Sequence, residues 1–219
     1  MIEIKKGPVP AFLKKYRKES IFEELSTADK DSLRTELLKE QGYICAYCMK
    51  RINDYKDTKI EHYQPRNSTN QLQYSNLMIV CRGNEGSPSH LATCDTKKQN
   101  ATLYLDPQNS THIETISYTP QGIIKSSDSR IDNDLNVHLN LNCYHGYLVT
   151  NRKAVLDEFK KHLYHEGKGG KDTIPYLLKS KDKFEKLNQE GKYTEYVGII
   201  LHYINRKLKS TKRYKGGRN

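Results

Sequence analysis

The sequence predicts an α+β fold in which a short, cysteine-bearing core of strands lies between helical segments. Apolar residues recur at helical spacing near both ends of the 219-residue chain. The middle has short apolar runs bounded by Gly, Pro, Asn and Ser, a pattern typical of strands and turns. Four of the five cysteines fall in that middle part. We therefore divide the chain into a lead (1–42), a core (43–110) and a C-terminal region (111–219).

The lead is predicted to be basic, extended chain followed by one helix. In DKDSLRTELLKEQG, the side chains of Leu33, Leu37 and Leu38 share one helical face. Gly42 follows as a typical helix stop. In the core, NLMIVC has the pattern of a short buried strand, and RGNEGSPSH has the composition of a loop.

The C-terminal region is predicted to begin with a hairpin and a helix. IETISY and GIIKS flank TPQG, which has the composition of a turn. The segment NRKAVLDEFKKHLYHEG predicts a helix that is capped by Asn151 and ends at Gly167. The face that this helix buries is expected to carry Val155, Phe159 and Leu163.

The remainder of the C-terminal region is predicted to be mainly helical. The segment YVGIILHYINRKLK has an apolar stripe at helical spacing, made of Val197, Ile200, Leu201, Ile204 and Leu208. The tail after Asn205 carries Lys and Arg but no acidic residue. We expect this tail to be a solvated, frayed end of the chain rather than a recognition element.

The composition indicates a polyanionic partner and excludes a membrane-spanning class. The net charge is +11, the isoelectric point is about 9.3 and the mean hydropathy is -0.86. Lysine and arginine that displace counterions from phosphates supply much of the affinity for nucleic acid, although charge alone does not separate this class from other basic proteins. No apolar run approaches the ~20 residues of a membrane span. The N-terminus has no apolar stretch typical of a secretion signal, so we expect a cytoplasmic protein.

The cysteine spacing predicts a structural zinc site. A CxxC turn brings two sulfurs to one point, and zinc takes four thiolates at ~2.3 Å in a tetrahedron. The four predicted ligands are Cys45, Cys48, Cys81 and Cys94. The alternative is a redox-active CxxC pair, but such a pair normally lies in a thioredoxin-like βαβ pattern, which this sequence lacks. His90 is a substitute ligand, and Cys143 is expected to be an ordinary thiol.

The segment KIEHYQPRN places an acid beside a histidine at the end of a predicted strand. Neighbouring strand residues point to opposite faces, so Glu61 and His62 can serve one reaction only if the strand end is bent or twisted. Pro65 and RNSTN indicate that the strand ends at once. A carboxylate suits Mg²⁺, and a histidine can take a proton from water near neutral pH. Hydrolysis of a phosphodiester needs both functions.

The pattern CAYC…IEHYQP…SNLMIVC…CDTKK resembles the HNH nucleases of the ββα-metal type. This resemblance implies that His62 is the general base and that Asn76 steadies the loop and orients the histidine. It implies that Glu61 and Asp95 hold a catalytic Mg²⁺ or Mn²⁺, where the family more often has Asp and then His or Asn. It also implies that the four cysteines form the zinc knuckle, and that Lys98 takes the position of the helix lysine.

A narrower group of HNH nucleases is also similar to this chain. KKGPVPAFLKKY, LLKEQGYICAYCMKRI and LNLN followed by an Arg-bearing helix resemble the nucleases that are paired with an ATPase in Septu-type and retron-linked anti-phage systems. The resemblance implies a role in bacterial defence, with an ATPase subunit as gatekeeper.

Three interpretations of the function remain open at this point. The first is a nuclease that acts on DNA; the second has the same chemistry but acts on RNA such as tRNA; the third is a zinc-ribbon-like module that binds nucleic acid or protein without cleavage. In the nuclease interpretations, four cations are expected to grip phosphates without reading sequence, namely Arg66, Arg82, Lys97 and Lys98. Three tyrosines are candidates for stacking on bases: Tyr47, Tyr63 and Tyr74.

Overall fold

The structure, a computed structural model, describes residues 1–166 and 173–216 and confirms the α+β class. Its two small sheets are antiparallel pairs, β1 with β2 and β3 with β4. Short 3-10 turns and one π-helical turn connect the elements. The helices and strands are α1 (Thr27–Glu40), β1 (Thr58–His62), β2 (Leu77–Cys81), α2 (Cys94–Lys98), α3 (Ser110–Glu114), β3 (Ile116–Tyr118), β4 (Ile124–Ser126), α4 (Ser129–Asn133), α5 (Tyr147–Glu166), α6 (Thr173–Phe184) and α7 (Val197–Gly216).

Helix α1 forms as the sequence predicts. The Ser26 hydroxyl accepts the backbone N–H of Asp29 at 3.1 Å, which satisfies a helix N–H that lacks a partner within the helix. The predicted leucine face is buried in the core. Gly42 follows the helix with a φ of 59°, a left-handed conformation that glycine adopts without steric cost. The apolar spacing and the stop residue therefore locate this helix correctly.

The β1–β2 sheet positions the site, and its two edges differ. Met78, Ile79 and Val80 of β2 are fully buried. The outer edge of β2 is hydrogen-bonded to the side chain of Gln41, which accepts the N–H of Ile79 and donates to its carbonyl, both at 2.8 Å. Strand β1 pairs with β2 in the register Thr58↔Cys81 to His62↔Leu77, and no strand among the described residues pairs with its other edge. The buried strand β2 thus holds β1, whose other edge is left accessible.

Two tight turns bring the cysteine segments together. In the first, the N–H of Cys45 donates to the Lys50 carbonyl at 3.0 Å, and the N–H of Ala46 donates to the Ile79 carbonyl of β2 at 3.1 Å. In the second, the N–H of Thr93 donates to the Gly83 carbonyl at 2.9 Å, closing the loop between β2 and α2. Gly83 has a φ of 55°, and a Cβ at this position would overlap the Thr93 carbonyl oxygen. Glycine is therefore required for this closure.

The C-terminal region contains the predicted hairpin, but the hairpin does not begin at residue 111 as predicted: residues 111–114 lie in helix α3, and β3 begins at Ile116. The first long helix of the region begins earlier than predicted. Helix α5 starts at Tyr147, so the prediction that Asn151 caps it is wrong. Asn151 lies inside the helix, and its side chain donates to the Tyr196 hydroxyl at 3.2 Å. Phe159 is buried as expected, whereas Val155 and Leu163 are partly buried. The predicted stop at Gly167 lies outside the described residues.

The last helix, α7, carries the predicted apolar stripe and continues beyond it. Val197, Ile200 and Ile204 are buried, and the other two members of the stripe pack against the same core. The helix runs on to Gly216, where the sequence predicted a frayed end. The tail contains strong helix formers, lysine and arginine, and no proline, which explains the continuation.

One apolar core joins the lead, the core segment and the C-terminal region. Arg152 of α5 is 1% exposed and ties this helix to the hairpin. Its guanidinium donates to the carbonyls of Gly122, at 2.6 Å, and Leu141, at 2.9 Å, and to the Asn142 side chain at 2.9 Å. These bonds satisfy a cation that would otherwise be costly to bury. Within the described ranges, none of the helices has the length and apolar character needed to cross a bilayer.

Candidate active site

A cavity of about 1040 Å³ runs along the free edge of β1. All five residues of the strand line it, with Phe22 and Arg66 on one side and Asp95 and Lys98 on the other. Because the cavity follows the edge rather than one face, residues that point to opposite faces both reach it. Glu61 and His62 therefore both line this cavity, although they are neighbours on the strand.

Glu61 lies on the side of β1 that faces α2, and it is 4% exposed. Its Oε1 accepts hydrogen bonds from the Tyr47 hydroxyl and the Lys98 ammonium, both at 2.8 Å. Burial, followed by the hydrogen bond and negative charge of Asp95, raises the pKa of Glu61 to about 8, although the Lys98 ammonium acts in the opposite direction. The site thus holds two carboxyl groups close together at an energetic cost.

Asp95 is the second carboxyl group, and it lies in the first turn of α2, directly after Cys94. The Lys59 ammonium lies 3.7 Å from its Oδ2 and donates to the Thr96 hydroxyl at 2.9 Å. Lys59 is two residues before Glu61, so both side chains point to the same face of β1. Two adjacent carboxylates are a ligand set that a hard cation such as Mg²⁺ or Mn²⁺ prefers, and this donor set therefore fits such an ion.

His62 lies at the end of β1 and has both ring nitrogens in hydrogen bonds. Its Nε2 lies 2.9 Å from the Gln71 carbonyl oxygen, which can only accept, so Nε2 carries the proton and Nδ1 has the lone pair. The Arg66 Nε donates to Nδ1 at 3.2 Å. Burial lowers the pKa of His62, as do the charges of Arg66 and Lys98, against the raising effect of the bond to Gln71. These effects favour the neutral imidazole.

Asn76 ends the 3-10 turn directly before β2 and is 5% exposed. Its Oδ1 accepts the backbone N–H of Gln64 at 2.7 Å, and its Nδ2 donates to the Gln64 carbonyl at 3.1 Å. Nδ2 also donates to the Asn70 carbonyl at 3.4 Å. One amide thus ties down both ends of the loop that follows His62, and this loop carries the Gln71 carbonyl that holds the imidazole.

The four predicted phosphate-gripping cations occupy different environments. Arg66 and Lys98 line the cavity, but Lys98 is buried in its ion pair with Glu61 and donates to the His62 carbonyl at 3.2 Å. Arg82 and Lys97 lie outside the cavity lining, and Arg82 pairs with Glu85 at 3.1 Å. The sequence analysis missed Lys59 and Arg34, two cations that do line the cavity. The alternation of β1 could have identified Lys59, since it shares a face with Glu61.

The tyrosines proposed for base stacking are not available for it. Tyr47 is 0%, Tyr74 6% and Tyr63 9% exposed, so the expectation that they stack on bases is wrong. Tyr47 instead donates to Glu61, and Tyr74 donates to Glu40 at 3.1 Å. Aromatic residues close to a motif are as readily core residues as ligand contacts, and the sequence alone did not separate the two.

The four sulfurs of Cys45, Cys48, Cys81 and Cys94 all lie within 4.8 Å of one another. Three of the separations are 3.8 Å (Cys45–Cys94), 3.7 Å (Cys48–Cys81) and 3.8 Å (Cys81–Cys94). Four thiolates at about 2.3 Å from a central zinc ion are separated by about 3.8 Å, so the cluster fits zinc. The bonds to Cys45 and Cys81 raise the pKa of Cys48, against the lowering effect of Cys94, and bonds to the three other sulfurs raise the pKa of Cys94. Burial raises both pKa values, so full ionisation requires a cation.

The other candidate ligands lie apart from this cluster. His90 is exposed, and its carbonyl oxygen accepts from the Asn140 side chain at 3.0 Å. Cys143 is 5% exposed, and its Sγ donates to the same carbonyl at 3.4 Å. Cys143 is therefore a buried thiol outside the sulfur cluster, and the four-cysteine set needs no substitute ligand.

Replacement of Lys98 by methionine is expected to destabilise the fold, because it leaves the Glu61 carboxyl group without its buried cation. Removing one partner of a buried ion pair typically costs on the order of 3 kcal/mol. Urea denaturation without added divalent ions measures the change. Lys97→Met is the matched control, since Lys97 is the adjacent, partly exposed residue of the same helix. Equal stabilities of the two variants would contradict the role assigned to the pair. Added Mg²⁺ should restore part of the loss in Lys98→Met.

Comparison with known families agrees with the site. The family model described as HNH endonuclease matches residues 45–83, which include three of the clustered cysteines, both residues of the acid–histidine pair and Asn76. Cys94, Asp95 and Lys98 follow the matched segment. No curated protein matches the chain. Residues 45–83 are therefore an HNH endonuclease domain, and the protein that carries it is a nuclease.

Proposed function

We propose that the protein is a metal-dependent endonuclease that hydrolyses phosphodiester bonds of DNA in the cavity along β1. The observation that carries this proposal is the convergence of one neutral imidazole and two carboxyl groups on a cavity that cations also line. Phosphodiester hydrolysis requires a base for water and positive charge near the phosphate, and the cavity offers residues for both.

The proposed roles follow from the contacts of each residue. His62 accepts a proton from water at Nδ1, while its Nε2–H remains on the Gln71 carbonyl. Asn76 positions the loop that carries this carbonyl. Glu61 and Asp95 hold Mg²⁺ or Mn²⁺, which when bound supplies positive charge for the leaving 3′ oxygen. Arg66, together with Lys59, Arg82, Lys97 and Lys98, supplies charge to the phosphate backbone, in a manner that does not depend on sequence.

Two alternatives differ in the substrate or in the presence of cleavage. The same chemistry can act on RNA such as tRNA, and the cavity residues include no group that we can assign to a 2′-hydroxyl. The second alternative is a module that binds through its zinc-braced core without hydrolysis. The buried Glu61 carboxyl, with its pKa raised by burial and by the adjacent Asp95, favours the nuclease over this second alternative, since binding alone gives no reason to hold the two groups together.

We further propose a cytoplasmic role in bacterial anti-phage defence, with an ATPase subunit that restrains the nuclease. This part of the proposal is supported by the sequence resemblance to the Septu-type and retron-linked group. A nuclease that acts in the cytoplasm endangers the DNA of its own cell, so restraint by a partner or trigger is expected. Rapid, indiscriminate digestion of DNA by the isolated chain would contradict the restraint.

The proposal is tested by incubating the purified protein with supercoiled plasmid DNA and with total RNA, each with and without Mg²⁺. We expect nicked plasmid to accumulate slowly, and only when Mg²⁺ or Mn²⁺ is present. Cleavage of RNA alone would support the RNA alternative. Retention of DNA in a filter-binding assay without cleavage of either substrate would support the binding module.

A further inference from the structure

Arg66 lies between the catalytic histidine and an acidic residue of the lead. Its Nε donates to Nδ1 of His62 at 3.2 Å, and its Nη1 donates to Oε1 of Glu23 at 2.7 Å. Since Nε2 of His62 is bonded to a carbonyl, Nδ1 is the nitrogen that has to take a proton from water. In this conformation the guanidinium therefore occupies the lone pair that the reaction needs.

We infer that Arg66 is a displaceable cap on His62, held over Nδ1 by Glu23 and drawn away by a phosphate of the nucleic acid. This inference rests on the proposed function, because it assigns a resting state to the same histidine. Glu23 then acts as a positioning residue that competes with the substrate for Arg66. The Arg66 side chain then has two alternative states: it contacts His62 when no nucleic acid is bound, and it contacts a phosphate when nucleic acid is bound.

The lead segment that carries Glu23 is anchored beside the histidine. The Phe22 ring lies edge-on to the His62 ring at 5.3 Å and an interplanar angle of 83°. The Arg66 guanidinium lies over the same Phe22 ring, 5.1 Å from its centroid. The backbone N–H of Phe22 donates to the Gln71 side chain at 3.2 Å. The backbone carbonyl of the same Gln71 accepts the hydrogen bond from Nε2 of His62. These contacts hold the segment that carries Glu23 in a fixed position beside His62.

The exposure of the pair explains why a phosphate can displace it. The side chain of Arg66 is 43% exposed and that of Glu23 is 61% exposed. Ion pairs at this exposure contribute little stability, because water and salt screen them. A phosphodiester offers two oxygens to the guanidinium fork, a geometry that favours arginine over a single carboxylate contact. Arg66 also lines the cavity, so only its side chain has to move.

The first arm of the test compares the kinetics of Glu23→Gln with those of wild type on plasmid DNA with Mg²⁺. Without the Glu23 carboxylate, Arg66 binds the substrate phosphate more readily. KM should therefore fall by about threefold, as expected for one exposed ion pair, while kcat stays the same. Glu19→Gln is the matched control, since it removes the same charge four residues earlier in the same segment. An equal fall in KM in both variants, or no fall in Glu23→Gln, would overturn the inference.

The second arm observes the cap directly by ¹⁵N NMR of histidine-labelled protein, without added Mg²⁺ so that DNA is not cut. The His62 resonances are assigned by their absence in His62→Ala. A short DNA duplex should shift the Nδ1 resonance of wild type, and Arg66→Met should show the shifted position before DNA is added. If cleavage depends on His62 but the Nδ1 resonance does not respond to DNA, the cap on His62 is overturned and the proposed function is not. Full cleavage by His62→Ala removes His62 as the base, whereas no cleavage of plasmid DNA or RNA by wild type with Mg²⁺ overturns the proposed function itself.

Discussion

His62→Ala should lose plasmid cleavage by about 10²- to 10⁴-fold, the range that a positioned general base contributes. The fold should persist, because the main apolar core and the sulfur cluster do not include this side chain. The ring contacts the Gln71 carbonyl, Arg66 and Phe22, so its removal changes the cavity wall but no strand pairing. Time courses of nicking with Mg²⁺, together with thermal melting and zinc content, separate lost chemistry from lost structure.

The matched control for this variant is His162→Ala. His162 lies on α5, with a side chain 60% exposed, and its Nε2 lies 3.2 Å from the Glu158 carboxylate. Its replacement should leave cleavage unchanged, since α5 contributes no residue to the lining of the cavity along β1. Cleavage by His62→Ala at the rate of wild type would remove the base from the proposed reaction, whatever the melting data show.

The parts of this fold that the sequence predicts are those set by local patterns. The spacing of three leucines locates α1, and the apolar run NLMIVC locates β2. The turn composition between two apolar runs locates the β3–β4 hairpin. Each of these signals depends on neighbours within about a dozen residues, where backbone geometry and burial of one face decide the structure.

The parts that the sequence does not predict are the partners of buried polar groups. Tyr47, a candidate for stacking on bases, is buried and donates its hydroxyl to Glu61, and Asn151 binds Tyr196 rather than capping a helix. These partners are far apart in the chain, and tertiary packing selects them because a buried polar group must find some partner. Arg66 is a further example, since its contact with Glu23 spans the lead and the core. Residue type and spacing alone do not determine such pairs.

The order of residues along the chain connects the sulfur cluster to the cavity. Cys94 is followed directly by Asp95, and Cys81 ends the strand that pairs with β1. The CxxC turn of Cys45 and Cys48 packs on the same strand through the N–H of Ala46. A metal that holds the four sulfurs therefore fixes the distance between β1, which carries Glu61 and His62, and α2, which carries Asp95.

Cys94→Ser and Cys45→Ser should each lose the bound zinc and unfold the core. The binding free energy of a structural zinc ion is about 10–16 kcal/mol in small metal-dependent domains, which is as large as the ~5–15 kcal/mol total stability of a typical domain. Both sulfurs are fully buried, so a serine hydroxyl there has no solvent to replace the lost metal bond. Elemental analysis of the purified protein and circular dichroism melting measure the two effects.

Cys143→Ser is the control that separates loss of zinc from loss of a buried thiol. Cys143 is 5% exposed and lies outside the sulfur cluster, so this variant should keep one zinc ion per chain and melt close to wild type. The cluster variants should instead lose cleavage together with structure, since Asp95 is adjacent to Cys94. A wild-type protein that melts cooperatively but contains no zinc would contradict the metal assignment. Cluster variants as stable as Cys143→Ser would show that packing alone holds β1 against α2.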